Sequence, residues 1–429
     1  MGISHDAAPA CTVGRGPRSA PGRDIGALFR RHGQAYRRTH ALGLTERRAL
    51  RDISVCRTGA LGGHRDVCRR CGHERSVYNS CRNRHCPKCQ ALRQARWVAA
   101  RMQRALPVRH FHVVFTLPAE LRPLVRAHEA VLLDLLFAAA SETIIQLGLD
   151  PKRLGALVGV TGVVHTWGRN LSFHPHLHCI VTGGGLGPDG AWVDSPERYL
   201  LPVKVLAKLF RGKFLDGLAR LFTDGKLVQA PCARHIVADL ADAAVFARLK
   251  DTLYKKDWVV YAKAPFRNPG ALFRYLGLYT HRVAISNRRL LHVDDQEVVF
   301  RTRDKQLCRL APLEFMRRFL QHVLPRGFVK IRHFGLLSAG NVNTKLVAAR
   351  ADVERRETER RRHCQPDAAD HAATQVSSSP GTVPVDWQDL FQQLTGIDLG
   401  LCPDCGGPLM TEPLSDDPIA SARAPPPLP

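Results

Sequence analysis

Apolar residues recur along the chain with two different periods, and these periods predict two kinds of secondary structure. A spacing of three to four residues predicts helices at 25–53, 90–106, 120–147, 202–224 and 271–280. Short apolar runs predict strands at 111–117, 157–166, 173–182, 258–263, 283–285 and 290–301. Helices that alternate with meander-like strand pairs are typical of an α+β fold, and we expect a mostly antiparallel sheet.

Breaks in this pattern divide the chain into five segments. The Pro/Gly/Arg-rich segment 1–24 is predicted to be a disordered tail, and 351–385, charged and then Ser/Thr/Pro-rich, is predicted to be a linker. We expect a small helical domain at 25–106 and a larger α+β domain at 107–350. A short module with a Pro-rich tail occupies 386–429. No run approaches the roughly 18 apolar residues of a membrane span, so no membrane partner is expected.

The charge of the chain is strongly unbalanced. Lys and Arg number 63 against 38 Asp and Glu, which gives a formal net charge of +25 and a pI of about 10.1. Between Ile25 and Arg104 the excess is sharper, with 19 basic and 4 acidic residues. A solvated basic face would have the same composition. A field of this size nevertheless favours a polyanionic partner, and nucleic acid is the first candidate.

Six of the 13 cysteines lie within 34 positions, between Cys56 and Cys89. The N-terminus lacks an apolar signal core, so secretion is not expected and the cluster is predicted to bind metal. Zinc takes four thiolate or imidazole ligands, and pairs two residues apart are its natural unit. Two such pairs predict one zinc site formed by Cys68, Cys71, Cys86 and Cys89. The remaining ligands predict a second site formed by Cys56, His64, Cys81 and His85.

Histidines alternate within the strand predicted at 173–182. Alternate residues of a strand face one side, so His176 and His178 project together. Two imidazoles on one face are a platform for a divalent metal ion, because buried imidazoles in an apolar strand need partners. His165 ends the preceding strand 11 residues before His176, and a short turn would bring it beside the pair. For any single histidine the alternative is a solvated or hydrogen-bonded side chain.

Two tyrosines share one face of the helix predicted at 271–280. Tyr275 and Tyr279 stand four residues apart, with Arg274 and Arg282 beside them. An isolated pair of this kind is typical of an amphipathic helix that buries two aromatic rings. The pair becomes a candidate for catalysis because it accompanies a histidine pair, a basic chain and a Cys/His segment.

The order of these motifs resembles one known family. A Cys/His segment with the run Tyr78-Asn-Ser-Cys-Arg-Asn-Arg-His-Cys-Pro-Lys-Cys-Gln90 is followed by His174-Pro-His-Leu-His178 and then by Tyr275-Leu-Gly-Leu-Tyr-Thr-His-Arg282. This order resembles the rolling-circle insertion-sequence transposases of the two-tyrosine HUH class, insertion-sequence family ninety-one. The resemblance implies a small helical zinc-binding domain for DNA recognition. It also implies an HUH nuclease domain whose central antiparallel sheet, flanked by helices, carries the histidines.

The resemblance also implies the chemistry. His176 and His178 match the metal-binding pair of the class, His165 matches a third imidazole more weakly, and Tyr275 and Tyr279 match the nucleophiles. The implied reaction cleaves and rejoins single-stranded DNA through 5′-phosphotyrosine intermediates, with Mg²⁺ or Mn²⁺ as the catalytic ion and Zn²⁺ as the structural ion.

Further residues receive weaker assignments. Lys263 and Arg282 are candidates to neutralise phosphate charge, with solvated cations as the alternative. The Cys402 and Cys405 pair resembles a terminal half-ribbon of some relatives. Its other two ligands stay open, and the candidates are His363 and Cys364.

Two other functions stay open. One is a plasmid replication initiator or relaxase with the same chemistry, and the other is a zinc-dependent DNA-binding regulator without catalysis. The zinc segment and the lack of a helicase segment favour the transposase. The expected partners are single-stranded element ends and target DNA in the bacterial cytoplasm, at the nucleoid. A homo-oligomer stays open.

Overall fold

The computed structural model describes residues 24–197, 200–227, 242–266, 284–302, 304–363, 388–389, 391–392 and 396–414. Its helices are α1 (Ile25–Thr39), α2 (Leu44–Ser54), α3 (Ala91–Arg104), α4 (Arg122–Ala127), α5 (Glu129–Leu149), α6 (Val203–Thr223), α7 (Ala243–Lys255), α8 (Pro312–Leu320) and α9 (Lys345–His363). Its strands are β1 (Gly63–Cys68), β2 (Glu74–Tyr78), β3 (His110–Thr116), β4 (Leu157–Trp167), β5 (Phe173–Leu186), β6 (Trp192–Asp194), β7 (Val260–Phe266), β8 (Leu290–Val293), β9 (Val298–Arg301), β10 (Leu307–Leu310), β11 (Ile331–Gly335) and β12 (Leu409–Pro413). The predicted tyrosine helix, nearly all of the N-terminal tail and most of the predicted linker lie outside these residues.

Five strands form the central sheet in the order β11–β4–β5–β3–β7, and β6 pairs with the end of β5. Every pairing in this sheet is antiparallel. The predicted α+β fold with a central antiparallel sheet flanked by helices is therefore confirmed.

The two faces of this sheet differ in chemistry. Alternation along β3 and β5 turns Phe115 and Leu177 to one face, where they are buried against α5 and α6. The same alternation turns His112, His176 and His178 to the other face. We call this second surface the histidine face.

Helix α5 is strongly apolar. By length and composition it could cross a membrane, although it contains no uninterrupted apolar run that approaches 18 residues. Glu129, Asp134 and Glu142 interrupt the run of apolar residues but leave the helix as a whole apolar. Its Leu132 and Phe137 side chains lie in the core beneath the sheet.

A second core joins the N-terminal helices to a distant part of the chain. Helices α1 and α2 pack against α8 and the antiparallel sheet β8–β9–β10. The ring of Phe29 meets that of Phe319 edge-on, with centroids 5.4 Å apart. The segment predicted as a small N-terminal domain therefore shares its core with residues from the segment predicted as the larger domain.

The C-terminal residues return to the N-terminal segment. Strand β12 pairs with β1 to complete the small sheet β12–β1–β2. Helix α9 runs to His363, so the first part of the predicted linker 351–385 is helical. The helix continues because opposite charges four residues apart pair along it, as in Arg355 with Glu359 and Glu357 with Arg361.

Candidate functional site

Three histidines come together on the histidine face. His165, near the end of β4, lies directly opposite His176 of β5, and His178 follows on the same face. One ring nitrogen from each lies within 4.8 Å of those of the other two. The ring of Trp167 stacks on that of His165 at a centroid distance of 4.4 Å and helps to bury it. The structure thus brings together the three histidines that were predicted as ligands of the catalytic ion.

Hydrogen bonds at Nδ1 decide which nitrogen these rings present. His176 donates its Nδ1–H to the backbone carbonyl of His174 at 2.7 Å, because a carbonyl can only accept. The Nδ1 of His178 lies 2.8 Å from the Nε2 of His112. In both rings Nε2 is therefore the atom that can coordinate a metal ion, and the bond at Nδ1 fixes the orientation of the ring.

His112 belongs to this site although it was not predicted from the sequence. Its ring stacks on that of His178, with centroids 5.0 Å apart. Burial first, and the charge of Lys263 second, lower the pKa of His112 to about 4. The neutral ring can therefore accept a hydrogen bond from His178. The available signal was the run His-Phe-His at 110–112, which has the same alternation as the pair in β5.

Neutral imidazoles set the kind of ion that fits this cluster. Mg²⁺ prefers oxygen ligands, so the donor set of three imidazoles favours a transition metal ion such as Mn²⁺ over Mg²⁺. Three protein ligands leave coordination positions for a phosphate oxygen or water. The residues present therefore fit a divalent ion that contacts substrate.

The other predicted catalytic residues are placed only in part. Lys263 lies on β7 directly opposite His112, so it shares the histidine face but stands beyond β3 from the three histidines. Strand β7 ends at Phe266, and the tyrosine segment follows in the chain. Three predicted catalytic residues lie outside the described part of the chain: Tyr275, Tyr279 and Arg282.

Two basic grooves adjoin the site and share Trp167. The first, which we call the histidine groove, has a volume of about 840 Å³ and is lined by His176 together with Arg169, Arg289 and Asp304. The guanidinium group of Arg169 lies 3.3 Å from a carboxylate oxygen of Asp304. The second, which we call the arginine groove, has a volume of about 480 Å³ and is lined by Trp97. Its basic lining residues are Arg84, Arg93, Arg101 and Lys330, and burial, with the charge of Arg84, lowers the pKa of Lys330 to about 7.

The clustered cysteines divide into two groups, and the first closes around the base of the β1–β2 hairpin. It consists of Cys56, Cys81, Cys86 and Cys89. The Sγ of Cys89 lies 3.5 Å from that of Cys56 and 3.7 Å from that of Cys81. A tetrahedral zinc ion with bonds of about 2.3 Å holds its sulfurs roughly 3.8 Å apart, so this group fits zinc.

The second group lies at the tip of the hairpin and consists of Cys68, Cys71, Cys402 and Cys405. The predicted pairing of Cys68 and Cys71 with Cys86 and Cys89 is therefore wrong. The hairpin is the physical reason, because its two strands separate the Cys-x-x-Cys turn at its tip from the cysteines at its base. His363 ends α9 and is not in this group, and Cys364 lies outside the described residues.

The predicted zinc ligands His64 and His85 belong to neither group. The Nε2 of His85 accepts a hydrogen bond from the backbone N–H of Leu324 at 3.1 Å, and its Nδ1 lies 3.2 Å from the side-chain oxygen of Asn83. Both nitrogens are thus used to hold the cysteine loop in place. The Nε2 of His64 lies 3.4 Å from a carboxylate oxygen of Asp66.

Comparison with protein families gives two matches. The family described as "Putative transposase" matches residues 159–345, a range that holds the three clustered histidines. The family described as "Transposase zinc-binding domain" matches residues 28–117, which include the first cysteine group. No solved structure matches the chain significantly.

Two curated proteins are similar over most of the chain. "Putative transposase y4qJ" of Sinorhizobium fredii (strain NBRC 101917 / NGR234) is 41% identical over 393 residues, which cover 90% of this chain and 93% of that protein. "Transposase for insertion sequence element IS801" of Pseudomonas savastanoi pv. phaseolicola is 30% identical over 315 residues, 69% of this chain and 73% of that protein. The chain therefore carries a transposase zinc-binding domain and belongs to the IS91 family of insertion-sequence transposases.

Proposed function

We propose that this transposase cleaves and rejoins single-stranded DNA through 5′-phosphotyrosine intermediates on Tyr275 and Tyr279. The observation that carries the proposal is the cluster of His165, His176 and His178 on one face of an antiparallel sheet. A structural metal site is closed by four protein ligands, whereas three ligands leave a position for substrate. The cluster therefore supports catalysis at a phosphate rather than a purely structural role.

The reaction needs help from its surroundings because a phenol, with a pKa of about 10, is a weak nucleophile at neutral pH. A divalent ion held by the histidines, Mn²⁺ or Mg²⁺, would polarise the scissile phosphate. Lys263 and Arg282 would neutralise phosphate charge beside it. The tyrosine oxygen attacks phosphorus and loses its proton, while the bond to the 3′-oxygen breaks and that oxygen takes up a proton.

The products of this step are a free 3′-OH and a tyrosine ester of the 5′-phosphate. The ester keeps the energy of the original phosphodiester, so attack by a 3′-OH rejoins the strand without an external energy source. A second tyrosine can accept the second DNA end while the first is still occupied. Two phenols on one helix face would meet this need.

The two grooves support a path for single-stranded DNA to the histidines. Arg93 and Arg101 line the arginine groove, and Arg169 lines the histidine groove, so both can bind backbone phosphates.

The experiment is adduct formation on a labelled single-stranded oligonucleotide that carries the end of the element. We expect wild-type protein to form a covalent adduct with Mn²⁺ and Tyr275→Phe/Tyr279→Phe to form none. His176→Ala/His178→Ala should still bind the oligonucleotide but not cleave it, since the ion acts on the phosphate. Tyr254→Phe is the control, because its exposed phenol lies on α7, which packs on α6 beneath the opposite face of the sheet.

An adduct on the Tyr275→Phe/Tyr279→Phe protein would contradict the assignment. The nucleophile would then lie elsewhere, and Tyr261 is the first alternative. It lies on β7 opposite Val114 and is exposed on the histidine face. Binding without any adduct from the wild-type protein would favour a DNA-binding regulator.

A further inference from the structure

We propose that Cys68, Cys71, Cys402 and Cys405 bind a second structural zinc ion that holds the C-terminal segment on the N-terminal hairpin. The match to a zinc-binding domain ends at residue 117, so two of these four ligands lie far outside it. The site would join parts of the chain more than 330 residues apart, since Cys71 and Cys402, whose sulfurs are in contact, are 331 positions apart in the sequence. This proposal does not depend on the chemistry proposed for the tyrosines.

The sulfur positions fit a tetrahedral zinc ion. The Sγ of Cys68 lies 3.5 Å from that of Cys405, and the Sγ of Cys71 lies 3.6 Å from that of Cys402. These distances far exceed the roughly 2.05 Å of a disulfide and approach the roughly 3.8 Å between sulfurs around zinc. Each pair therefore contributes both of its sulfurs to a single cluster, and none of them is oxidised.

The two Cys-x-x-Cys turns have the same backbone geometry. In the first, the N–H of Gly72 donates to the carbonyl of Cys68, and in the second the N–H of Gly406 donates to the carbonyl of Cys402, both at 2.9 Å. Gly72 and Gly406 have φ angles of 73° and 69°, which a residue with a Cβ rarely adopts. Two turns built alike and facing each other are the natural halves of one four-thiolate site.

The contacts that hold the C-terminal half in place are mostly polar. Strand β12 pairs with β1, with Leu409 opposite Cys68. The Nδ1 of His73 lies 2.7 Å from a carboxylate oxygen of Asp404, which links the two turns beside the sulfurs. Leu401 and Met410, by contrast, are exposed.

A short strand with so little apolar burial does not hold its position by packing alone, because small metal-binding elements obtain their folding energy from the metal. Loss of this zinc ion should therefore release the C-terminal residues. The first cysteine group should stay intact because none of its ligands lies in the C-terminal segment. The central sheet should stay intact because it contains no strand from that segment.

The experiment counts zinc by native mass spectrometry in full-length chains that all carry His176→Ala/His178→Ala, which keeps zinc off the histidine cluster. In this background we expect about two zinc ions per chain when all cysteines are intact and about one in Cys402→Ser/Cys405→Ser. Cys81→Ser/Cys89→Ser should also hold about one zinc ion, because this variant loses the ion of the first cysteine group. The matched control is Cys308→Ser, a half-buried cysteine of β10 that belongs to neither group, and it should keep two.

Hydrogen exchange supplies a second readout. In Cys402→Ser/Cys405→Ser the amides of β12 should lose protection, whereas those of β4 and β5 should keep it. One zinc ion per chain when all cysteines are intact would overturn the proposal whether or not any cysteine variant folds. Two zinc ions in the folded Cys402→Ser/Cys405→Ser protein would overturn it as well.

Discussion

At the scale of single residues, the candidate active site depends on which nitrogen each imidazole presents. The backbone carbonyl of His174 and the ring of His112 occupy the Nδ1 atoms of His176 and His178. The two Nε2 atoms are thereby oriented before any ion binds. The alternation of His176 and His178 is visible in the sequence, but the contact with His112 depends on how β3 and β5 pair, which no local pattern contains.

His112→Ala should slow cleavage about 10- to 100-fold, the usual cost of removing a group that orients a metal-binding histidine. His112→Asn should recover part of this loss, because the amide oxygen can accept the hydrogen bond from His178. The measurement is the rate of adduct formation at saturating DNA across a Mn²⁺ titration. The control is His292→Ala, an exposed histidine of β8 paired with Asp294. An unchanged Mn²⁺ dependence in His112→Ala would contradict this role.

At the scale of elements, helix α5 begins with a buried carboxyl group. Burial, offset in part by Arg126, raises the pKa of Glu129 from 4.5 to about 8. The folded protein therefore keeps this proton at pH values where the unfolded chain has lost it. The contribution of Glu129 to stability is full below pH 4.5 and falls as the pH rises towards 8.

Glu129→Gln removes this titration, so the stability of the variant relative to the wild type should rise between pH 5 and pH 8. We expect the difference in Tm to grow by at least about 2 °C, which corresponds to roughly 1 kcal/mol in a domain of this size. Differential scanning calorimetry across the pH range measures it. Glu142→Gln, on the exposed side of α5, should show no such trend. A Tm difference between Glu129→Gln and the wild type that does not change with pH would contradict the raised pKa of Glu129.

Long elements with clear periodicity were predictable from the sequence, and the pairing of distant elements was not. The apolar and histidine-rich runs predicted β4 and β5, and the α+β fold followed from their alternation with helices. The zinc ligands were paired wrongly because spacing along the chain does not show that a hairpin separates Cys68 from Cys86. The structure instead groups Cys68 with Cys402 and Cys405, which follow more than 330 residues later in the chain.

At the scale of the whole molecule, the chain has a net charge of +25, and the fold places part of this positive charge beside the histidine face. Arg93 and Arg96 are exposed on α3, next to the arginine groove. Deleting the N-terminal segment would be a poor test of their role, because α1 and α2 share a core with α8. Single charge removals keep that core intact.

Arg93→Gln/Arg96→Gln should weaken binding to single-stranded DNA and make it less sensitive to salt. Each lost phosphate contact should lower the slope of log K against log salt by about 0.7, so the pair should lower it by about 1.4. Fluorescence anisotropy across a salt series measures the slope. Arg220→Gln, an exposed arginine of α6 paired with Asp216, is the control and should leave the slope unchanged. An unchanged slope in the double variant would show that single-stranded DNA binds away from Arg93 and Arg96.

The measurement that tests the central claim most directly is the chemical mapping of the protein–DNA linkage. Wild-type protein is incubated with Mn²⁺ and a single-stranded element end, digested, and examined by tandem mass spectrometry. The account predicts a 5′-phosphate esterified to Tyr275 or Tyr279, and no linked peptide from His176→Ala/His178→Ala. A linkage to any other residue, a 3′-phosphate linkage, or full adduct formation without the two histidines would contradict it.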